Sequence, residues 1–125
     1  MTKQTEVQPS IGYIQNHLVQ TVTEARNAYG DKAQVVIAME ELCELSCAIA
    51  KFVRYPTTEE AVLSTKEKVI SEMADVLVML ETLTQIYEVD SNALYATVES
   101  KLIRLDGWLS KGPELTITTI DRLLQ

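Results

Sequence analysis

Two stretches of this chain each carry a pair of acidic residues placed three positions apart. Glu41 and Glu44 form one pair, and Glu72 and Asp75 form the other. Residues three positions apart are neighbours on an α-helix, because each residue turns the chain by about 100°. The spacing therefore predicts two helices, each presenting two carboxylates side by side.

The apolar residues around the acids indicate where these carboxylates point. At the offsets −3, +4, +8 and +11 from the first acid of each pair, the residue is always apolar, which gives Ala38, Leu45, Ile49 and Phe52, and then Val69, Val76, Leu80 and Leu83. The first acid lies within about 60° of the middle of this stripe. We therefore expect the acids at the edge of the core, with the two helices facing each other there.

Carboxylates that meet beside an apolar face lose hydration, which is costly unless their charge is compensated. Either their pKa values rise or a divalent cation binds among them. A ligand set made only of oxygen favours Mg²⁺, with Mn²⁺ or Ca²⁺ as alternatives, over zinc. The pattern thus predicts a site for a hard divalent cation.

Composition favours a helical protein of one domain. The chain has 125 residues, of which 46% are hydrophobic, and only four Gly and three Pro interrupt it. The net charge of −7 disfavours duplex nucleic acid as a partner. We expect no membrane partner and a cytoplasmic location, because no apolar run is long enough to span a bilayer and the first ten residues lack the apolar core of a secretion signal.

Capping and stop signals divide the chain into four predicted helices of an all-α four-helix bundle with short loops. Ser10 is expected to cap the first, Asp31 the second, Thr57 or Thr58 the third, and Asp90 or Ser91 the fourth. The first three helices are predicted to end at about Tyr29 before Gly30, at about Arg54, and at about Glu88 with an alternative break near Ser64, and Gly112-Pro113 is predicted to stop the fourth. One domain, 1–125, is expected, with a loose start at 1–9, a helical core at 12–110 and a C-terminal tail at 112–125.

Two cysteines lie one helical turn apart in the second predicted helix. Cys43 and Cys47 are flanked by apolar residues. We interpret them as small buried hydrophobic residues in a reducing compartment, rather than as a redox or metal-binding pair.

The acidic motifs also resemble those of a known family. EELCE at 40–44 and EMAD at 72–75 resemble the EExxE and ExxD motifs of the MazG-like, all-α nucleoside triphosphate pyrophosphatases, and the resemblance covers roughly residues 12–110. It implies a helical bundle, assembled as a homodimer or homotetramer, that uses Mg²⁺ to hydrolyse a nucleoside triphosphate to the monophosphate and pyrophosphate. By this match the metal ligands would be Glu41, Glu44, Glu72 and Asp75.

Catalytic and phosphate-binding roles can be assigned to further charged residues. A carboxylate that is not saturated by metal, Glu44 or Glu40, is expected to accept the proton of the attacking water; Glu40 lies about 100° from Glu41 around the helix and would orient that water. The candidate phosphate-binding cations are Lys51, Arg54, Lys101 and Arg104, each with a solvated surface cation as the alternative. The only histidine, His17, is either an ordinary helix-surface residue or a contact for the base.

Two other classes of helical protein are alternatives. A ferritin-like di-iron bundle supplies Glu-x-x-His pairs, and this chain has no histidine three residues after a glutamate. A non-catalytic binding or regulatory bundle would carry the acids as a solvated face. The matched position of both acid pairs beside apolar stripes favours the enzyme.

Overall fold

The chain is described by a computed structural model that covers residues 8–54 and 56–111. Over these ranges it contains four α-helices and no strand, which confirms the all-α prediction. The helices are α1 (Ile11–Tyr29), α2 (Asp31–Arg54), α3 (Glu59–Ile86) and α4 (Ser91–Leu109). None of them combines the length and hydropathy needed to cross a lipid bilayer. The predictions for residues 1–7 and for the C-terminal tail lie outside the described residues.

Three helices begin where a side-chain oxygen accepts a hydrogen bond from a backbone N–H of the first turn, which is the ordinary N-cap arrangement. The capping residues are Ser10, Thr58 and Asp90. The alternative break near Ser64 is absent, since α3 continues through this residue, and the hydroxyl of Thr65 donates to the carbonyl oxygen of Ala61 at 2.7 Å. Local capping chemistry therefore sets the start of α1, α3 and α4.

A single residue, Gly30, joins α1 to α2. Its φ of 86° and ψ of 153° fall in a region that is almost exclusive to glycine. Its N–H donates to the carbonyl oxygen of Arg26 at 2.9 Å, and its own carbonyl accepts from the N–H of Gln34 at 3.2 Å. Asp31, which we expected to cap α2, is instead its first residue and receives two hydrogen bonds from Arg26, at 2.8 and 3.0 Å. This pair raises the pKa of Arg26 and lowers that of Asp31.

The chain forms two compact units, one ending at Glu88 and the other beginning at Val89. In the first unit α2 packs along α3, and α1 contacts both. Gln85 of α3 ties α1 in place: its amide donates to the carbonyl oxygen of Val19 at 3.1 Å, and its amide oxygen accepts from the hydroxyl of Thr23 at 3.1 Å. The second unit contains α4. The expectation of one domain over 1–125 stays a prediction.

Within the described residues the fully buried set is small and half of it is polar: Val22, Ala38, Ala48, Gln34, Glu72 and Thr82. Of the predicted stripes, Ala38 is buried, and the residues nearest the acids, Leu45, Val69 and Val76, are half-buried. Burial was wrongly predicted for Ile49, Phe52 and Leu80, which are 46%, 36% and 50% exposed. The apolar faces of α2 and α3 are therefore wider than the contact between them.

Candidate metal centre

The facing sides of α2 and α3 bring three carboxylates together. Glu41 of α2 and Glu72 and Asp75 of α3 each offer one oxygen, and these three oxygens lie within 4.8 Å of one another. The two helices thus face each other at the acids, as the sequence predicted. Oxygens at this separation can bind one divalent cation in common. Their role as ligands stays a prediction.

Two of these carboxylates have an oxygen that is buried and unpaired. Glu72 is only 2% exposed, and Glu41 is half-buried. The Oε2 atoms of both residues are buried and have no hydrogen-bond partner in the part of the chain that the structure describes. Buried carboxylate oxygens are nearly always paired, because an uncompensated buried charge is costly. The donor set and its missing partners fit a bound hard cation.

The electrostatics of Glu41 reflect this crowding. Burial is the main cause that raises its pKa above the ordinary value of 4.5, and the charges of Glu44, Asp75 and Glu72 raise it further. A hydrogen bond with Glu44 acts in the same direction. Burial and these neighbouring charges therefore disfavour the charged form of Glu41 when no cation is bound.

The two remaining predicted acids differ in their surroundings. Glu44 is exposed and lies close enough to Glu41 to share a hydrogen bond with it, although it is not one of the three clustered carboxylates. Glu40 is exposed and lines a shallow apolar depression of α2 with Val36 and Met39. Glu44 is therefore the better placed of the two to act at the acidic cluster.

One residue of this site, Lys68, was not predicted from the sequence. Its Nζ lies 2.5 Å from Oε1 of Glu72, one helical turn away on α3. The hydrogen bond and the charge of Glu72 raise the pKa of Lys68, and the charges of Glu44 and Asp75 contribute as well. The spacing of four residues between a lysine and a glutamate was the available signal. Glu72 thus has one oxygen paired with Lys68 and the other without a partner.

A groove beside the acids runs between α2 and α3. Two cations line it, Lys51 from α2 and Lys68 from α3, together with Glu44 and Glu72. The predicted phosphate-binding residue Lys51 therefore lies in the same groove as two of the acids. An anionic group in this groove would meet one ammonium group from each wall.

The two cysteines also line this groove, and both are exposed. The interpretation of Cys43 and Cys47 as buried residues is therefore wrong.

The other predicted phosphate-binding residues lie elsewhere in the chain. Arg54 is the last residue of α2 and is exposed. Lys101 and Arg104 belong to α4, where the guanidinium of Arg104 lies 5.6 Å from the centre of the Trp108 ring. Their phosphate-binding roles stay predictions.

A second groove lies between α1 and α3. It is mostly apolar, and its lining residues are Ile14, His17, Leu18, Thr21, Val22 and Val78. The ring of His17 packs against that of Tyr13, with 5.9 Å between the ring centres. Val78 follows Asp75 by three residues on α3, so this groove begins about one turn from the acids. His17 is the polar ring available to a planar ligand there.

Comparison with known protein families, with curated proteins and with solved structures finds no match for this chain. The resemblance of EELCE and EMAD to the motifs of the MazG-like pyrophosphatases stays a prediction.

Proposed function

We propose that this chain is a Mg²⁺-dependent nucleoside triphosphate pyrophosphohydrolase with a four-helix bundle of the MazG-like type. The supporting observation is the cluster of Glu41, Glu72 and Asp75, with carboxylate oxygens within 4.8 Å and two buried oxygens without a partner. A non-catalytic bundle with solvated acids has no need to bury Glu72 to 2% exposure. The proposed enzyme is cytoplasmic and acts on free nucleotides.

Glu41, Glu72 and Asp75 would hold the metal, with Glu44 beside them as a further ligand. When bound, Mg²⁺ supplies positive charge that balances the carboxylates and the phosphate oxygens and lowers the pKa of a water. Mn²⁺ has the same preference for oxygen ligands and would substitute for it.

The protein's own groups then position and deprotonate the attacking water. Its oxygen bonds to a phosphorus of the α–β bridge while the bond from that phosphorus to the bridging oxygen breaks, giving the nucleoside monophosphate and pyrophosphate. The carboxylate of Glu44 accepts the proton, since it is exposed beside the cluster, and Glu40 orients the water. Lys51, on the wall of the neighbouring groove, binds the phosphates.

The nucleobase would occupy the groove between α1 and α3. Its apolar lining by Ile14, Leu18 and Val78 suits a planar ring, and His17 adds polar nitrogen atoms at the edge. In this arrangement Asp75, one turn before Val78, separates the base from the phosphates. Replacing His17 with Ala would then raise KM more than it lowers kcat.

The proposed enzyme is a homodimer or homotetramer. Support comes from an apolar row on the outer side of α3, which we call the α3 outer face and define as Leu63, Ile70, Met73 and Leu77. These residues are 52% to 62% exposed and recur at helical spacing. Exposed apolar side chains that recur on one face of a helix are typical of subunit interfaces.

The test is pyrophosphate release from a panel of canonical and modified nucleoside triphosphates, with and without Mg²⁺. We expect release to require Mg²⁺, and Glu41→Gln and Asp75→Asn each to abolish it. Glu67→Gln, which removes an exposed acid of α3 outside the cluster, should retain full activity. Full turnover in the Glu41 and Asp75 variants would exclude the assigned site.

A further inference from the structure

We propose that Lys68 is the counter-ion of the metal-free acidic cluster and that a divalent cation displaces it. The released ammonium group then binds phosphate in the groove between α2 and α3, together with Lys51. This inference rests on the proposed function of the same site and assigns a role to a residue outside the two acidic motifs.

The ion pair between Lys68 and Glu72 is unequal in burial. The side chain of Lys68 is 66% exposed, whereas that of Glu72 is 3% exposed. The lysine can leave the pair and keep its charge hydrated, because its long aliphatic stem lets the ammonium move into water. The carboxylate has no such freedom, so Glu72 is the fixed partner and Lys68 the exchangeable one.

The positive charge of Lys68 interacts with the same acids that would hold the metal. Besides Glu72, its ammonium interacts with the charges of Glu44 and Asp75. A divalent cation among these carboxylates neutralises that negative charge and repels a positive group at hydrogen-bond distance from Oε1 of Glu72. Lys68 and the cation therefore compete, even where the cation uses the unpaired Oε2.

The groove gives the displaced lysine a second place to bind. Lys68 already lines it, opposite Lys51 on the other helix. A phosphate group bound between these lysines would have a cation from each wall and would adjoin Glu72, where the metal is held. Charge-assisted hydrogen bonds to phosphate would replace the one lost to Glu72. Metal binding would thereby prepare the groove for an anion.

Calorimetric titration of the full chain tests both halves of this proposal. The first titration uses Mn²⁺ alone, and the second uses inorganic pyrophosphate at saturating Mg²⁺. We expect Lys68→Gln to bind Mn²⁺ about three- to tenfold more tightly, because a competing cation is gone, and pyrophosphate about tenfold more weakly. Lys51→Gln should weaken only pyrophosphate binding. Lys66→Gln removes an exposed lysine two positions away and is the matched control.

Tighter binding of Mn²⁺ together with weaker binding of pyrophosphate in Lys68→Gln would distinguish this role from a structural one. A variant that merely disturbs α3, or a lysine that orients Glu72 for the metal, would weaken Mn²⁺ binding as well, and that result would overturn the proposal. Equal affinities in Lys68→Gln and Lys66→Gln would also overturn it, while leaving the proposed function standing as long as the wild type binds Mn²⁺. A wild type that binds no Mn²⁺ would overturn both.

Discussion

Glu41 on α2 and Glu72 on α3 meet with carboxylate oxygens within 4.8 Å, and the Oε2 of each is buried without a hydrogen-bond partner among the described residues. Two like charges in this arrangement repel each other in the metal-free protein. This repulsion therefore destabilises the contact between α2 and α3 in the metal-free protein, and a bound cation would remove the destabilisation.

Replacing Glu72 with Gln is expected to lower Mn²⁺ affinity by about 100-fold, roughly 2.8 kcal/mol. The amide keeps the shape of the side chain but removes the most deeply buried charge of the cluster. Mg²⁺ should raise the melting temperature of the wild type but not that of the variant, because only a protein that binds the ion is stabilised by it. Glu67→Gln is the control and should behave as the wild type in both calorimetric and thermal measurements.

The raised pKa of Glu41 predicts how the metal-free protein responds to pH. A carboxyl group whose pKa is higher in the folded state than its ordinary 4.5 binds its proton more tightly when folded. Its ionisation therefore destabilises the fold at neutral pH. This cost should disappear as the pH falls through the raised pKa toward 4.5.

Thermal unfolding in a chelating buffer checks this dependence. The melting temperature of the wild type should rise as the pH falls from neutral toward 4.5, and Glu41→Gln should flatten the rise. Further acidification acts through Asp31, whose pKa is lowered from 3.8 by Arg26. The stabilisation that Asp31 gains from Arg26 is lost as the pH falls below 3.8, the ordinary pKa of the Asp31 carboxyl. Identical profiles for the wild type and Glu41→Gln would contradict the assignment to Glu41.

Replacement by alanine should change the stability of the protein in opposite directions at two glycines, one that follows the end of α1 and one in its first turn. Gly30→Ala is expected to destabilise the protein by about 1–3 kcal/mol, because alanine is strained at a φ of 86°. Gly12→Ala places its methyl group in open space within the first turn of α1 and should be neutral or stabilising by up to about 1 kcal/mol. Urea unfolding of both variants measures the difference, and equal effects would refute the role given to Gly30.

Gln85 is expected to hold α1 against α3. Gln85→Ala removes its hydrogen bonds to Val19 and Thr23 and should cost about 1–2 kcal/mol in the free energy of unfolding. Gln20→Ala changes an exposed glutamine of α1 and is the control. A loss in Gln85→Ala no larger than in this control would show that packing alone positions α1.

The α3 outer face is expected to form a subunit interface. Leu77→Lys should shift the protein toward the monomer, since burying a leucine contributes about 2 kcal/mol and a lysine there would have to be desolvated. Ser71→Lys adds the same charge at an exposed position of α3 outside this face. Sedimentation velocity distinguishes the two variants, and an unchanged oligomer in Leu77→Lys would exclude this face as the interface.

The helices were predictable because their limits depend on local chemistry. Ser10, Gly30 and Thr58 act within a few residues of their own position, so their signals can be read without knowledge of the fold. The acid pairs were predictable because helical spacing determines which side chains share a face. These two rules gave the orientation of Glu41 and Glu72 toward the facing helix.

The features that could not be predicted from the sequence depend on how closely α2 and α3 pack. Cys43, Ile49 and Leu80 are exposed because the contact between α2 and α3 is narrower than their apolar faces. Lys68 was missed because a lysine four residues before a glutamate is ordinarily a solvated surface pair. Only the burial of Glu72 distinguishes this pair from others of the same spacing.

The one-residue junction at Gly30 also limits how the chain can change in length. Arg26 bridges it by binding Asp31, and the backbone of Gly30 is bonded on both sides. One residue inserted here would disrupt the hydrogen bonds that join Gly30 to Arg26 and to Gln34. An insertion or deletion at this junction is therefore expected to destabilise the contact between α1 and α2, so a permuted or lengthened version of the protein should be opened elsewhere.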